Sequence, residues 1–428
     1  MENKITVEQA QIIEGQLESP NHGMLAISVI SGIGLIPIQN AHIKITITGQ
    51  PELEVGEFTT NESGQTDNIE LPAPPIELSL EPGEIQPYAE YDLEISAEGY
   101  EDVSVSGTEV LADTIALQNV RMNPIADPGE VKDTVIIPDH TLYGEYPPKI
   151  PEDEIKPMDE SGEIVLSRVV IPEYVVVHDG VPSDSSAPNY YVRYKDYIKN
   201  VVSSEIYATW TEAAIYANTL CILSFTLNRV YTEWYRNQGY DFTITSSTAY
   251  DQKWIYGRNI YENVDRIVDS IFNNYLSRPG VRQPIFTSYC DGRRVTCEGL
   301  SQWGSNYLGD EGYSAIEIIR YYFGNDMFIN STEAISGVPS SWPGYVLTIG
   351  SSGSKVQQMQ EQLNRIGQNY PAIPRITADG IYGNATSEAV KKFQQIFKLP
   401  QTGEVDYATW YEISEIYVGV TRIAEPGT

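Results

Sequence analysis

The spacing of the apolar residues changes once along the chain, and this change restricts the folds available to it. Between residues 24 and 122, polar and apolar residues alternate in short runs such as LAISVI and HIKITITG, separated by Gly, Asn and Pro. This alternation predicts strands with one buried face. From residue 170 onward, apolar residues recur every three to four positions, which predicts amphipathic helices. A chain of 428 residues with this change is expected to be a multidomain α+β protein.

The negative charge is concentrated in the first part of the chain. Residues 1–170 carry 32 Asp and Glu against 7 Lys and Arg, whereas the remaining residues carry 27 against 20. Because no segment offers a basic surface, nucleic acid is excluded as a partner. The N-terminus lacks a basic region followed by an apolar stretch, so no Sec signal peptide is expected. No apolar run approaches the ~20 residues of a membrane span.

The first half of the chain is expected to hold a small antiparallel β-sandwich and a linker. The sandwich is predicted over residues 24–124, after an N-terminal tail at residues 1–23. Its runs IPIQNAHIKITITG and FTTNESGQTDNIELP resemble the transthyretin-like, carboxypeptidase-regulatory type of sandwich, which implies a structural or masking role. Residues 125–169 are rich in Pro and acidic residues, which predicts an exposed, extended linker. Exposed linkers are open to proteases, and we expect cleavage within residues 115–150.

An α+β domain is predicted over residues 170–344. One helix is expected from Thr211 to Tyr231, with Thr211 as its N-cap. The segment NIYENVDRIVDSIFNNYL predicts a second, amphipathic helix. The segment SAIEIIRYYFGNDM predicts a third, which ends at Gly324.

Glu205, in the segment VVSSEIYATW, has two interpretations. In the first, Ser203 or Ser204 caps a helix that begins there, and Glu205 is favoured by the positive end of the helix dipole. In the second, Glu205 is a catalytic acid at the edge of an apolar wall, with a proton available for a leaving group. The residues alone leave both open.

The chain has three cysteines, which are too few for a disulfide scaffold, and four histidines. Cys221 lies in an apolar helical pattern and is expected to be buried. Cys290 and Cys297 flank the turn in YCDGRRVTC and either form a disulfide in an oxidising environment or remain free thiols. Since His178 is the last histidine, a His–Cys zinc site at these cysteines lacks partners. No metal and no cofactor is expected.

A three-helix unit is predicted over residues 345–428. The segments LTIGSSGSKVQQMQEQLN and DGIYGNATSEAVKKFQQIFKLPQTGEVDYATW closely resemble the peptidoglycan-binding three-helix module. A generic bundle would explain the apolar positions of these segments but not the whole set. The resemblance implies binding to a cell-wall glycan or stem peptide. The residues to which it assigns this binding are Asp379, Gly380, Tyr382, Gly383 and Trp410.

The middle domain resembles stage II sporulation protein D and LytB-type domains over residues 172–330. The resemblance is carried by DYIKNVVSSEIYATW, SSTAYDQKWIYGRN and TSYCDGRRVTCEGLSQWG. Members are lytic transglycosylases, which cut between N-acetylmuramic acid and N-acetylglucosamine, or activators of other wall hydrolases. The resemblance therefore implies that Glu205 is the catalytic acid. Substrate-lining positions fall to Ser247, Thr248, Tyr250, Gln252, Ser288, Gly292, Ser301 and Gln302.

One carboxylate is enough for the implied reaction. A hydrolysing glycosidase needs two carboxyl groups, but a lytic transglycosylase uses one Glu as acid and then as base on the 6-hydroxyl of the same sugar. If a second carboxylate acts, Asp251 is the candidate; the alternative is a solvated loop residue. Arg293 and Arg294 are candidates to pair with a muramyl lactyl or peptide carboxylate.

The order of the units resembles the clostridial spore cortex-lytic enzyme precursors. This resemblance implies an inactive proform in the spore cortex or coat region, an activating serine protease at germination, and cortex peptidoglycan as the substrate. Two alternatives remain: a noncatalytic peptidoglycan-binding protein or amidase activator, and a structural protein of the spore layers.

Overall fold

Two β-sheets form the N-terminal unit and pack around a shared apolar core. The structure is a computed structural model, which describes residues 21–125, 133–156, 168–337 and 341–421. The strands are β1 (Asn21–Ser31), β2 (His42–Ile47), β3 (Gln50–Thr59), β4 (Ile69–Ala73), β5 (Ala89–Ser96), β6 (Val103–Val110), β7 (Ile115–Met122) and β8 (Asp133–Ile136), with a short helix α1 (Glu77–Leu80). One sheet has the order β4–β1–β7 and the other β3–β2–β5–β6–β8. The alternation in the sequence thus produces the predicted two-layer β unit.

Two features of this unit differ from the prediction. It begins at Asn21 rather than at residue 24. It is also not purely antiparallel, because β1 pairs with β7 and β6 pairs with β8 in parallel. A parallel pair joins strands that are distant in sequence, and a period of two residues does not reveal it.

The predicted linker is partly a folded segment. Strand β8 extends the sandwich sheet beside β6, and the residues that follow it pack against the middle domain. Ile137, Leu142 and Tyr146 are each at most 8% exposed. The prediction of an exposed linker is therefore wrong for residues 133–156. Residues 126–132 and 157–167, and with them part of the expected cleavage window, lie outside the described residues.

The middle domain surrounds one long buried helix. Its helices are α2 (Tyr194–Glu205), α3 (Glu212–Tyr231), α4 (Glu262–Ile271), α5 (Gln302–Asp310) and α6 (Ala315–Phe323), and its strands are β9 (Tyr174–His178), β10 (Asn189–Arg193), β11 (Ile244–Thr245), β12 (Ile260–Tyr261), β13 (Asn274–Ser277), β14 (Tyr289–Cys290), β15 (Leu300–Ser301) and β16 (Phe328–Ser331). Every residue of α3 from Ala217 to Arg229 is buried. A helix apolar on all sides needs such a central position. The three predicted helices are confirmed, with Thr211 capping α3 and Gly324 ending α6.

Three helices form the C-terminal unit, as predicted. They are α7 (Ser354–Ile366), α8 (Asn384–Ile396) and α9 (Tyr407–Thr421). Helix α7 turns Val356, Met359, Leu363 and Ile366 into the core, where none is exposed.

The sandwich docks on the middle domain through a shared sheet and a buried ion pair. Strand β12 pairs with β7, so that the sandwich sheet continues into the middle domain. Beside this pairing, the Arg258 guanidinium lies 2.7 Å from the Glu109 carboxylate, and neither side chain is exposed. The Asn259 side chain donates to the Glu109 carbonyl and accepts from its N–H. The interface thus depends on polar groups that would be hydrated if the two units separated.

A second charged cluster joins the C-terminal unit to the middle domain. Its members are Arg193, Lys195, Lys199, Asp265, Asp269, Glu412 and Glu415. Four carboxylates thus face three cations in a largely buried space. Burial raises the pKa of Glu412 to about 7 and that of Asp265 to about 6. Burial also opposes ionisation of Glu415, but the adjacent Lys195 and Arg193 outweigh it and lower this pKa to about 2.

Glu109→Gln tests the ion pair between the sandwich and the middle domain. The change leaves Arg258 buried without a counter-charge, and we expect a loss of about 3 kcal/mol of stability. Thermal unfolding of the full chain measures it. The control is Glu70→Gln, because the side chain of Glu70 is 63% exposed. Equal melting temperatures of the two variants would contradict the interpretation.

Glu412 should make stability depend on pH. Because its folded-state pKa is raised, folded protein keeps a proton that the unfolded chain releases, so its contribution is present below its ordinary pKa of 4.5 and is lost as the pH rises towards 7. Asp265 acts in the same direction, whereas Glu415 is ionised throughout this window. We expect unfolding in urea to cost roughly 2 kcal/mol less at neutral pH than near pH 5.

Glu412→Gln should reduce this slope without abolishing it, because Asp265 and Glu90, whose pKa burial raises to about 8, act in the same direction. Glu388→Gln, at a side chain 68% exposed on α8, should retain it. A slope that is the same in both variants would show that the charged cluster is not its source.

Candidate active site

Glu205 is the last residue of α2 and is completely buried. Ser203 and Ser204 lie in the final turn of the same helix, so the helix start predicted at these serines is wrong. The chain leaves the helix at Ile206, and α3 begins only at Glu212. The carboxylate therefore lies at the negative end of a helix dipole, which disfavours it. Its position needs other stabilising contacts.

Three donors from distant parts of the chain supply those contacts. The Lys253 backbone N–H lies 2.7 Å from Glu205 Oε1, and the Gln302 side-chain amide lies 3.0 Å from Oε2. The Tyr289 hydroxyl lies 3.4 Å from Oε1. Hydrogen bonds to a carboxylate are stronger than those between neutral groups. Both oxygens of Glu205 are thus engaged with the protein.

A short two-stranded element positions two of these donors. Strand β14 pairs with β15, and α5 begins directly after β15, so the pairing brings Tyr289 and Gln302 to Glu205 together. The Ser301 hydroxyl caps α5 by accepting the Gly304 N–H at 3.0 Å. Gly292 has φ +75°, and a Cβ there would lie 1.8 Å from Ser301 Oγ. Only glycine fits this turn.

A disulfide between Cys290 and Cys297 closes the loop that connects these two strands. It decides between the two possibilities that the sequence left open for these cysteines. Cys221 is buried and free, as predicted.

The loop inside the disulfide is organised by Asp291. Its buried carboxylate accepts the backbone N–H groups of Arg293, Arg294 and Val295, and the Arg294 guanidinium lies 2.9 Å away. Burial alone would raise the pKa of Asp291, but these hydrogen bonds outweigh it and hold the pKa below its ordinary value. Arg293 is exposed beside this loop. Arg294 is also exposed, but its guanidinium is paired with Asp291.

Asp251, the predicted second carboxylate, is held inside the domain. It is unexposed, and its Oδ1 accepts from Arg229 at 2.7 Å. Its Oδ2 accepts from the Tyr235 hydroxyl and from the N–H and hydroxyl of Thr245. Both the predicted role as a second acid and the solvated-loop alternative conflict with this placement. Asp251 is positioned to stabilise the fold.

The other predicted substrate-lining residues divide into two groups. Gln252 is buried, and its side-chain Oε1 accepts hydrogen bonds from the Tyr197 and Thr226 hydroxyls at 3.1 and 2.8 Å. Like Asp251, it is therefore held inside the domain by its neighbours. Ser247, Thr248 and Tyr250 form the turn before Asp251, in which the Ser247 carbonyl accepts two backbone N–H groups. The second group, Ser288, Gly292, Ser301 and Gln302, lies on the Tyr289 side of Glu205, and Gln302 contacts it directly.

The sequence did not reveal two of the donors to Glu205, nor the residue of the predicted linker that contacts Gln302. Tyr289 and the Lys253 N–H contact Glu205, and Tyr146, from the predicted linker, donates to Gln302 Oε1 at 3.3 Å. The Lys253 donor is a backbone N–H, which any residue except proline provides, so the sequence does not mark its position. Tyr146 was hidden because its segment lacks a hydrophobic period. The pair of tyrosines in LYGEYPP was the one available signal.

Most of the predicted wall-binding residues lie in the core or in the turns of the C-terminal unit, where they stabilise its fold. Tyr382 and Trp410 are 1% exposed, and the Tyr382 hydroxyl donates to the Gly403 carbonyl. Asp379 accepts the Ile381 N–H, Gly380 has φ +74°, and Gly383 precedes α8. In contrast, Ile349 and Ile381 are 58% and 60% exposed on adjoining loops. These loops are joined by backbone hydrogen bonds between residues 350–351 and Tyr382.

Two further properties hold for the described part of the chain. No helix there is long and apolar enough to cross a membrane. No group of three His, Cys, Asp or Glu side chains there is arranged to hold a metal ion.

Solved structures resemble limited parts of the chain. The minor pilin GBS52 of Streptococcus agalactiae has 13% identity and a TM-score of 0.18, over 26% of this chain and 49% of the pilin. Catechol 1,2 dioxygenase of Acinetobacter radioresistens has 9% identity and a TM-score of 0.18, over 28% of this chain and 59% of the enzyme. The chain thus spans about half to three fifths of these proteins, and scores this low establish no shared fold. A comparison with curated protein sequences finds no match.

Two protein families match separate segments of the chain. Residues 187–273, which include Glu205, match the Stage II sporulation protein family. Residues 352–413, which include α7 and α8, match a peptidoglycan binding domain. A sporulation domain associated with peptidoglycan lysis, joined to a peptidoglycan-binding unit, indicates involvement in the breakdown of cell wall during sporulation.

Proposed function

We propose that the chain is the proform of a lytic transglycosylase that degrades spore cortex peptidoglycan. The proposal rests on Glu205, a buried carboxylate that receives hydrogen bonds from three separate chain segments inside the region that matches stage II sporulation proteins. The three donors fix the position of the carboxyl group, and a general acid must be positioned within hydrogen-bond distance of the oxygen that it protonates. The C-terminal unit keeps the enzyme on the cell wall.

Glu205 acts as acid and then as base. It donates its proton to the oxygen that links N-acetylmuramic acid to N-acetylglucosamine, and the bond from that oxygen to the muramyl C1 breaks. The muramyl 6-hydroxyl attacks C1 and gives its proton to Glu205, which is thereby restored. The new C1–O6 bond closes a 1,6-anhydro ring, and no water is consumed. A hydroxyl of the same sugar has a high effective molarity, which favours this route over hydrolysis.

The placement of Asp251 supports a one-carboxylate mechanism. A hydrolase of the ordinary type needs a second carboxyl group at a set distance from the first. Asp251 instead accepts hydrogen bonds from Arg229, Tyr235 and Thr245 on both of its oxygens. It has no free oxygen with which to activate a water.

Substrate recognition is assigned to two surfaces. Arg293, exposed at the loop closed by the disulfide, is proposed to pair with a muramyl lactyl or peptide carboxylate. The exposed Ile349 and Ile381 of the C-terminal unit are proposed to contact the cell wall. Apolar side chains exposed side by side are typical of a binding surface.

The sandwich and the segment that follows it constitute the proposed pro-region. We propose that a serine protease cuts within residues 115–150 at germination in the spore cortex or coat region. The docking of the sandwich supports its removal, because Glu109 and Arg258 both become hydrated on separation. A buried ion pair adds little net stability compared with its separated, hydrated ions.

Glu205→Gln tests the catalytic assignment. Protein cut within residues 115–150 should release muropeptides with 1,6-anhydro ends from purified spore cortex, and mass spectrometry should find them one water lighter than reducing ends. Loss of the acid should reduce release by about 100-fold or more. Glu212→Gln, whose side chain is 67% exposed at the start of α3, is the control and should act like wild type.

Two results would contradict this proposal. Reducing ends in place of anhydro ends would indicate a hydrolase. Release of cortex only after addition of another wall hydrolase, with Glu205→Gln behaving like wild type, would indicate the activator alternative.

Asp251→Asn separates stability from catalysis. The neutral side chain leaves Arg229 with reduced compensation in a buried site, so we expect a loss of about 3 kcal/mol of stability. Glu205→Gln keeps the shape of its side chain but turns one buried acceptor into a donor that faces a donor, so we expect a smaller loss of about 1 kcal/mol. Calorimetry of both variants makes the comparison. An Asp251→Asn protein that melts like wild type but has lost activity would assign Asp251 to catalysis.

A further inference from the structure

One chain segment lies across the candidate active site. We call residues 137–156 the strap; it follows β8 and runs from the sandwich over the middle domain. Its first part contacts both units, since the His140 backbone N–H donates to the Tyr88 hydroxyl of the sandwich and the His140 ring lies 4.5 Å from the Tyr207 ring. The strap therefore bridges the pro-region and the domain that carries Glu205.

The strap reaches Glu205 through one intermediate side chain. The Tyr146 hydroxyl donates to Gln302 Oε1 at 3.3 Å, and the Gln302 amide donates to Glu205 Oε2 at 3.0 Å. An amide that accepts at its oxygen is oriented so that its nitrogen faces the carboxylate. Tyr146 thus fixes the orientation in which Gln302 occupies one oxygen of the catalytic acid.

The strap also contacts Tyr289, a second side-chain donor to Glu205. The Lys149 ammonium lies 4.4 Å from the centre of the Tyr289 ring and donates to the Asp251 carbonyl at 2.8 Å. The Ile150 N–H donates to the Ala249 carbonyl at 2.9 Å. These contacts close the space between Tyr289 and the turn that precedes Asp251.

The loop closed by the disulfide holds the strap from the opposite side. The Arg294 guanidinium donates to the carbonyls of Thr141, Tyr143 and Gly144, while its Nε remains paired with Asp291. A planar guanidinium matches such a set of acceptors well. This part of the strap lies where a glycan would contact the same loop.

The end of the strap is anchored firmly to the middle domain. Glu152 receives both terminal nitrogens of Arg229, at 2.8 and 2.6 Å. The backbone of Lys156 exchanges two hydrogen bonds with the Gln283 side chain, and its ammonium lies 3.6 Å from the Phe286 ring. Residues 152–156 are therefore a fixed end, and the part that covers the site lies between this end and the sandwich.

We propose that the strap is a built-in inhibitor that occupies the glycan-binding groove beside Glu205 until the pro-region is removed. This inference rests on the proposed function and names the regulation of the same site. A general acid must come within hydrogen-bond distance of the oxygen it protonates. With the strap in place, Glu205 and Gln302 are unexposed and Tyr289 is 1% exposed. No glycosidic oxygen reaches the carboxylate in this state.

Tethering at both ends explains how weak contacts inhibit and how a cut releases them. The strap is joined to the sandwich through β8 and to the middle domain through residues 152–156, so its effective concentration at the site is high. A cut on the sandwich side of Tyr146 removes one tether. Tyr146 and Lys149 then move away from the site, while the anchor at Glu152 remains.

A double variant, Tyr146→Ala with Lys149→Ala, tests the strap in the full, uncut chain. Neither residue belongs to the catalytic machinery. We expect the uncut variant to release anhydro-muropeptides from cortex at least about tenfold faster than uncut wild type, because the uncovered state becomes more populated. After cleavage, variant and wild type should be equally active. Glu145→Gln, at an exposed position of the same strap, is the control and should stay inactive until cut.

The outcomes separate this inference from the proposed function. Cut wild type without activity would refute the proposed function. Uncut wild type as active as cut wild type would refute the strap while the function stands. The strap would also be refuted as the inhibitor if the uncut double variant were as inactive as uncut wild type but fully active after cleavage. That result would attribute inhibition to the sandwich. Binding to cortex sacculi and melting temperature check that the variant folds.

A second measurement holds even if the double variant is unstable. A synthetic peptide of residues 137–156, added to cut wild type at about 1 mM to match the effective concentration of a tethered segment, should inhibit release, and the same peptide with Tyr146→Ala should inhibit less. Equal inhibition by both peptides, or none by either, would contradict the role of Tyr146.

Discussion

The buried carboxylate of Glu205 is the constraint on which the rest of the structure depends. It lies at the unfavourable end of α2 and away from water, so it must receive hydrogen bonds from elsewhere. The donors are the Lys253 N–H, Tyr289 and Gln302, which belong to three different segments. The two-stranded element, its disulfide and the glycine turn are all arranged so that two of these donors meet one acid.

In the proposed function, the same requirement connects catalysis with control. A carboxylate that is organised before the substrate arrives is ready to react, so access to it must be governed. In the proposed function, access is governed by the strap, whose Tyr146 extends the hydrogen-bond chain that ends at Glu205. The sandwich, to which the strap is joined, docks on the middle domain through the Glu109–Arg258 ion pair, and both charges become hydrated after separation. Such an interface is ordered while intact and is suited to release.

Parts of the fold and site could be predicted because they depend on local pattern. The apolar spacing in α7 and α8, the Thr211 cap and the Gly324 terminus follow from contacts within a few residues. The motif predicts Glu205 as the catalytic acid, and this stays a prediction. The alternative interpretation, a helix start at these serines, is wrong, because Ser–Ser–Glu suits a last turn as well as a helix start. Asp251 had the residue type of a catalytic acid, and only its partner Arg229 identifies it as a structural group.

By itself, the sequence determined a strand-rich first unit, an α+β middle domain and a three-helix end unit. It also offered Glu205 as the candidate acid, Asp251 as the candidate second carboxylate, and two cysteines close enough to pair. The tertiary structure alone decided that the acidic, Pro-rich segment is a strap, that the cysteines are joined, and that Glu205 is enclosed. The reason is distance along the chain. Helix and strand periods arise between neighbours, whereas Tyr146 and Gln302 are 156 residues apart, and their contact exists only when the whole chain has folded.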